Sequence, residues 1–158
     1  MSDQELLTIQ DAHAHFARTF NGRVWTLLEM NERSLEQDEE MIHAAHGSLY
    51  HWLHAGTAAN HQRGMWLISR VFAVLGEPAR AKRYAERCIT LTEQNPDDMQ
   101  DFDWAFAYEA MARALALMGD AQPAATWLAR ARQAGERIQD PKDREIFEGD
   151  LASGPWLA

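Results

Sequence analysis

The sequence predicts an all-α fold of antiparallel helical hairpins, and three observations support this prediction. First, helix-forming residues dominate the 158-residue chain, which has only nine glycines and five prolines, and β-branched residues are scarce. Second, capping and turn signals recur at the spacing of short loops between helices. Third, one hairpin pattern occurs twice, 43 residues apart, as the pair Gly76 and Gly119 illustrates.

Local signals give the boundaries of the helices. Ser34 and Ser2 each stand three residues before Gln or Glu, which is the form of a capping box. Gly76 and the nearby Pro78 end one helix and begin the next. Asn21-Gly22 is expected to kink or interrupt the first helix. We predict helices at about residues 3–30, 35–55, 58–75, 78–94, 102–118, 123–138 and 141–151.

The length and a composition of 46% hydrophobic and 25% charged residues predict one folded domain, residues 1–158. Within it, residues 1–56 form a histidine-rich hairpin, and residues 57–95 and 96–139 form two similar hairpins. Residues 140–158 are expected to form a C-terminal cap, with Trp156 docked against one end.

The internal repeat is clearest in RVFAVLGE, which begins at Arg70, and RALALMGD, which begins at Arg113. Small residues follow at the same offset, Ala81 and Ala124, with an aromatic residue three positions later in each copy. A small residue lets two helices approach closely, so the two hairpins are expected to share one design and to stack side by side.

This pattern resembles the tetratricopeptide-repeat (TPR) superfamily, whose hairpins have a large residue, a large–small pair, an aromatic residue, a Gly–acidic turn and then alanine. The matching residues are Met65, Ile68-Ser69, Phe72, Gly76-Glu77 and Ala81 in the first copy, and Tyr108, Met111-Ala112, Leu115, Gly119-Asp120 and Ala124 in the second. The resemblance covers about residues 58–138 and implies a right-handed, TPR-like array. The whole chain also resembles bacterial helical-repeat proteins, which implies no activity.

The resemblance implies a non-catalytic module that binds another protein or a peptide on its concave face. The positions that the family uses for ligands map onto a groove of six residues: Arg63, Trp66, Arg70, Phe106, Glu109 and Arg113. Three arginines and two aromatic residues suit an acidic peptide. Alternatively, Glu109 and Arg113 form an ordinary helical ion pair and Trp66 belongs to the core.

The charge is unevenly distributed along the chain. Nine acidic and three basic residues give residues 1–56 a charge of −6, whereas three acidic and six basic residues give 57–95 a charge of +3. The net charge of −9 argues against nucleic-acid binding. No apolar run is long enough to cross a membrane, and the acidic N-terminal stretch is unlike a signal peptide, so we expect a cytoplasmic protein. Capping of the array by a second copy, as a homodimer, is also expected.

A stripe of histidines marks the second helix. At 100° per residue, five polar and aromatic side chains fall within about 80° of one another: Glu39, His43, His46, Tyr50 and His54. Folding the first hairpin about Glu32 also places His13 level with His51. One interpretation is a polar seam with no cofactor. The alternatives are a small-ligand surface and a site for a divalent transition metal such as zinc, in a metal-dependent enzyme, with His13, His43, His46, His51 and His54 as the ligands.

Overall fold

The computed structural model describes residues 7–156, and the part of the chain that it describes contains seven α-helices and no strand. The helices are α1 (Ile9–Leu28), α2 (Leu35–Ala55), α3 (Ala58–Val74), α4 (Pro78–Gln94), α5 (Asp101–Leu117), α6 (Ala121–Gly135) and α7 (Pro141–Ala152). A short 3-10 turn, Pro96–Asp98, connects α4 to α5. The predicted all-α hairpin architecture is confirmed.

The first helix begins later than predicted. Thr8 is its N-cap, and the Thr8 hydroxyl accepts a hydrogen bond from the backbone N–H of Asp11, so the helix begins at residue 9 and not at residue 3. The capping box at Ser2 lies outside the described residues. The expected interruption at Asn21-Gly22 is wrong, because α1 continues through both residues.

The two repeated hairpins turn in the same way. Gly76 and Gly119 have φ of +74° and +81°, which favours glycine. The N–H of Glu77 donates to the carbonyl of Phe72 at 2.9 Å, and 43 residues later the N–H of Asp120 makes the equivalent bond at 3.0 Å. Each glycine thus ends a helix with a Schellman motif. The repeat in the sequence is therefore a repeat in backbone geometry at these turns.

Small residues bring the paired helices together. Ala81, Ala85 and Cys88 on α4 are fully buried, and the Ser69 hydroxyl on α3 donates to the carbonyl of Ala81 at 2.8 Å. Residues of this size leave little side-chain volume between two helix axes, so the backbones approach closely. The N-caps of α2 and α3 are Ser34 and Thr57, so both helices begin where the sequence predicts.

The helices that open each hairpin, α1, α3 and α5, share one face with α7, and a cavity lies between these four helices. Gln62, on α3, ties neighbouring layers together because its side-chain amide donates to the Thr92 hydroxyl at 3.0 Å and to the carbonyl of Asp103 at 3.2 Å. Within residues 7–156, no helix is long and apolar enough to cross a membrane.

Candidate functional site

The cavity on the face formed by α1, α3, α5 and α7 has a volume of about 410 Å³. Twelve residues line it: Asn21 and Trp25 from α1; Gln62, Arg63, Trp66 and Leu67 from α3; Phe102, Asp103 and Phe106 from α5; and Asp143, Ile146 and Asp150 from α7. Cavities of this volume hold small ligands or single side chains in proteins generally. The cavity is the candidate site.

Aromatic rings form most of the apolar wall. The rings of Trp25 and Trp66 are stacked with centroids 5.9 Å apart, and Phe106 meets Trp66 edge-on at 5.6 Å. Trp25 retains 41% of its surface exposed, so this wall is open to solvent at one side. An aromatic wall of this kind stabilises a ligand by apolar burial and by the negative electrostatic face of its rings.

The indole N–H of Trp66 is buried and has no hydrogen-bond partner among residues 7–156. A buried donor without an acceptor costs about 1–3 kcal/mol. Buried tryptophans normally find a partner for this group, so the Trp66 N–H is an exception, and its burial keeps it out of reach of a ligand in the cavity unless the side chain moves.

The arginine at the mouth of the cavity is neutralised within the protein. Arg63 donates from Nε and Nη2 to the two carboxylate oxygens of Asp103, both at 2.9 Å, and its guanidinium lies over the Phe102 ring, 5.0 Å from the centroid. Asp103 is 2% exposed and also accepts from the backbone N–H of Gln100 at 2.8 Å. The hydrogen bond to Asp103 raises the pKa of Arg63 above its ordinary value.

The other two predicted groove arginines form an ion-pair network instead of a free surface. Glu109 is fully buried and contacts Arg70 at 3.3 Å and Arg113 at 2.7 Å. Asp150 on α7 adds a carboxylate contact to Arg70 at 2.9 Å and a carbonyl contact to Arg113 at 2.9 Å. Burial raises the pKa of Glu109, and the two guanidiniums oppose that effect.

The six predicted groove residues therefore fall into two groups. Arg63, Trp66 and Phe106 line the cavity, whereas Arg70, Glu109 and Arg113 lie behind it, in contact with α7. The C-terminal segment covers this network from outside, since the Arg113 guanidinium lies 5.6 Å from the ring centroid of Trp156, and Trp156 packs against the hydrophobic core.

The sequence missed Trp25, Phe102, Asp103 and the three cavity residues of α7. The resemblance that selected the groove ends near residue 138, so no pattern in it places a residue of α7 on this face. Asp103 and Arg63 are 40 residues apart, and neither has a local signal that identifies the other as its partner.

The histidines of the first hairpin divide into two sets. The Nδ1 atoms of His13 and His51 are 2.8 Å apart, with one donating and the other accepting, and the His54 ring is stacked on His13 at 4.6 Å. This is the pairing that folding about Glu32 predicts. His46, in contrast, packs edge-on against Phe72 and Tyr84 of the next hairpin.

One histidine of each set has a lowered pKa, and burial is the main cause in both. Burial lowers the pKa of His13, and the neighbouring charges of His54 and His51 lower it further. Burial also lowers the pKa of His46, with a smaller contribution from His43. His43 itself is exposed on the surface. In residues 7–156, no three His, Cys, Asp or Glu side chains are arranged to hold a metal ion.

Comparison with protein-family models, with curated proteins and with solved structures finds no match to this chain.

Proposed function

We propose that this chain is a non-catalytic, TPR-like module that binds a segment of another protein or a peptide in the cavity between α1, α3, α5 and α7. The observation that carries this proposal is the open cavity whose wall includes the packed rings of Trp25, Trp66 and Phe106. A peptide complements this cavity because its apolar side chains pack against the aromatic rings.

The absence of catalysis is part of the proposal. The chain's one cysteine, Cys88, is fully buried, and burial raises the pKa of its thiol far above the ordinary value. A thiol in that state is a poor nucleophile. The carboxylates Asp103 and Asp150 at the cavity are engaged by Arg63 and Arg70, an arrangement that suits positioning of the walls better than proton transfer.

The acidic character expected of the partner rested on free arginines. In the structure each of them is paired, Arg63 with Asp103, and Arg70 and Arg113 with Glu109. A second carboxylate would have to compete with these internal partners, so the charge argument for an acidic peptide loses its basis. The proposal rests on apolar contacts with the aromatic wall instead.

The proposal is tested in two steps. Peptides are first selected from a random displayed library against the intact protein, and the affinities of the selected peptides are then measured by fluorescence anisotropy. Trp25→Ala should weaken binding at least about tenfold, because truncation of an interface tryptophan commonly costs about 2 kcal/mol. Tyr50→Ala is the matched control, since Tyr50 is 59% exposed on α2 and does not line the cavity. Failure to select any peptide, or equal losses in the two variants, rejects the function.

A second candidate function is metal or small-ligand binding by the histidine-rich first hairpin, which would also permit metal-dependent catalysis. The close contact of His13 with His51, and the stacking of His54 on His13, support it. Elemental analysis of the untagged protein, together with melting with and without a chelator, tests it. A stoichiometric metal whose removal lowers the melting temperature supports this function. A metal-free protein with an unchanged melt rejects metal binding by the hairpin.

The expected homodimer also remains a proposal, supported by apolar side chains on the surface of the first hairpin. Ile9 is 81% exposed and Leu35 is 70% exposed. Sedimentation equilibrium at several protein concentrations measures the mass directly, and a monomer mass throughout would reject the dimer.

A further inference from the structure

The three carboxylates around the cavity are not equally satisfied. Asp103 is paired with Arg63 and Asp150 is paired with Arg70. Asp143, the third, has no ion-pair partner within residues 7–156. It lies on α7, partly exposed, where it lines the cavity.

The two satisfied carboxylates share one arrangement. The guanidinium that pairs with Asp103 lies over the ring of Phe102 at 5.0 Å. The guanidinium of Arg70, which pairs with Asp150, lies over the ring of Trp66 at 5.3 Å. In both cases a cation is held between a carboxylate and an aromatic face, and both the ring and the carboxylate line the cavity.

Neither basic neighbour of Asp143 in the described part of the chain, Lys142 or Arg144, pairs with its carboxylate. The side chain of Arg144 donates to the carbonyls of Ile138 and Glu136, at 3.0 and 2.9 Å. Lys142 is exposed, and within residues 7–156 it forms no ion pair with Asp143. The backbone N–H of Asp143 is bonded to Asp140, which caps α7. The carboxylate of Asp143 is therefore left at the cavity without an internal cation.

The net charge of the cavity lining is negative, like that of the unpaired Asp143 carboxylate. Three aspartates and one arginine line it, for a formal charge of −2, and inclusion of Arg70, which pairs with Asp150, leaves −1. A ligand that combines an apolar body with one positive charge complements both the rings and the carboxylate. A lysine side chain has this form, because its methylene stem packs on apolar surface while its ammonium group remains at the edge.

We infer that the partner segment inserts a basic side chain into this cavity, with its aliphatic stem against the aromatic wall and its charged head on Asp143. This inference rests on the proposed peptide-binding function and adds the chemistry of the anchoring residue. It reverses the acidic partner that the arginines alone predicted, because the unmatched charge at the site is negative.

Titration of the intact protein with three capped tetrapeptides tests the inference. The peptides are acetyl-Gly-Leu-X-Gly-amide with lysine, norleucine or glutamate at X, and binding is followed by two-dimensional amide NMR and by tryptophan fluorescence. Norleucine retains the apolar stem without the charge. The lysine peptide should bind about 2- to 5-fold more tightly than the norleucine peptide, and the glutamate peptide should bind most weakly.

Two variants on the same helix separate the role of Asp143 from a general effect of charge. Asp143→Asn should abolish the preference for lysine over norleucine. Glu148→Gln, which removes one exposed carboxylate from α7 outside the cavity lining, should leave the preference intact. Both positions are on the protein surface, so both variants are expected to fold, and circular dichroism checks this.

Each remaining outcome has a distinct meaning. Equal binding of the lysine and norleucine peptides, or a preference that survives Asp143→Asn, overturns the inference and leaves the apolar peptide-binding function standing. Binding of none of the three peptides, together with a failed library selection, overturns both. If butyltrimethylammonium alone binds as tightly as the lysine peptide, the cavity is a site for a free organic cation, and the assignment to a partner's side chain is wrong.

Discussion

The packing of α7 on α6 includes a close contact between a ring and a glycine, and this contact predicts a specific non-additivity. Phe147 is 1% exposed and packs against Gly135, the last residue of α6. The three atoms nearest to a Cβ built on Gly135 all belong to Phe147, with Cδ1 at 2.7 Å and Cε1 closer still. The ring occupies the volume that any side chain at position 135 would need.

The magnitudes follow from these contacts. Phe147→Ala should cost about 3–5 kcal/mol of unfolding free energy, the usual cost of truncating a fully buried phenylalanine. Gly135→Ala in the wild-type background should cost about 1–3 kcal/mol for overpacking against the ring, partly offset by the better helix propensity of alanine, about 1 kcal/mol. In the Phe147→Ala background the overpacking disappears, so Gly135→Ala should become neutral or stabilising.

A double-mutant cycle measured by urea unfolding, with far-ultraviolet circular dichroism as the signal, tests this reasoning. The coupling free energy between Gly135→Ala and Phe147→Ala should be about 1–3 kcal/mol. Ile146→Ala is the control partner, because Ile146 is 61% exposed beside Phe147 in the chain and should show no coupling to position 135. A coupling below about 0.5 kcal/mol with Phe147→Ala, within the usual limit of additivity, would refute the described packing of α7 on α6.

Three further predictions concern buried or clustered titratable groups. Asp103→Asn should lower the unfolding free energy by about 1–3 kcal/mol, because the nearly buried carboxylate accepts hydrogen bonds from both Arg63 and a backbone amide. Denaturant unfolding measures this loss, with the exposed Asp97→Asn as the control. Equal unfolding midpoints for the two variants would contradict the prediction. The protein should lose stability as the pH falls below the ordinary pKa of histidine, because the lowered pKa of His13 means that the unfolded chain binds this proton more readily. His13→Gln should flatten unfolding midpoints measured between about pH 8 and pH 5, and an unchanged slope would exclude this residue as a cause. The thiol of Cys88 should react with a chromogenic disulfide only as fast as the chain unfolds, because it is fully buried and its pKa is raised; rapid reaction of the native protein would show that it is accessible.

The turns between the helices were predictable from the sequence because their signals are local. A glycine with positive φ followed by an acidic residue and then a proline or small residue specifies a Schellman end and a new first turn, as at Gly76 and Pro78. The start of α1 was not predictable in this way. The capping box at Ser2 predicts a start at about residue 3, whereas the N-cap of the described helix is Thr8.

The ion pairing of the groove arginines depends on residues that lie far from them in the sequence. Arg63 meets its partner 40 residues further along the chain, and Arg70 meets Asp150 across 80 residues. A resemblance to a repeat family predicts which positions face a groove but not which of them are already neutralised. The charge that remains for a ligand therefore depends on which side chains are already paired. That pairing follows from the three-dimensional arrangement of α5 and α7 and not from any local sequence pattern.

The histidine stripe shows why angular clustering on a helix does not by itself make a site. At 100° per residue, His46 lies on one flank of the stripe and His51 beyond the other, with Tyr50 and His54 between them. The flanking residues face different neighbours, so His46 packs on Phe72 of α3 while His51 contacts α1. The central residues face outward, and Tyr50 is 59% exposed. A stripe about 80° wide spans the gap between two packing partners, which is why its imidazoles divide between them instead of converging on one point.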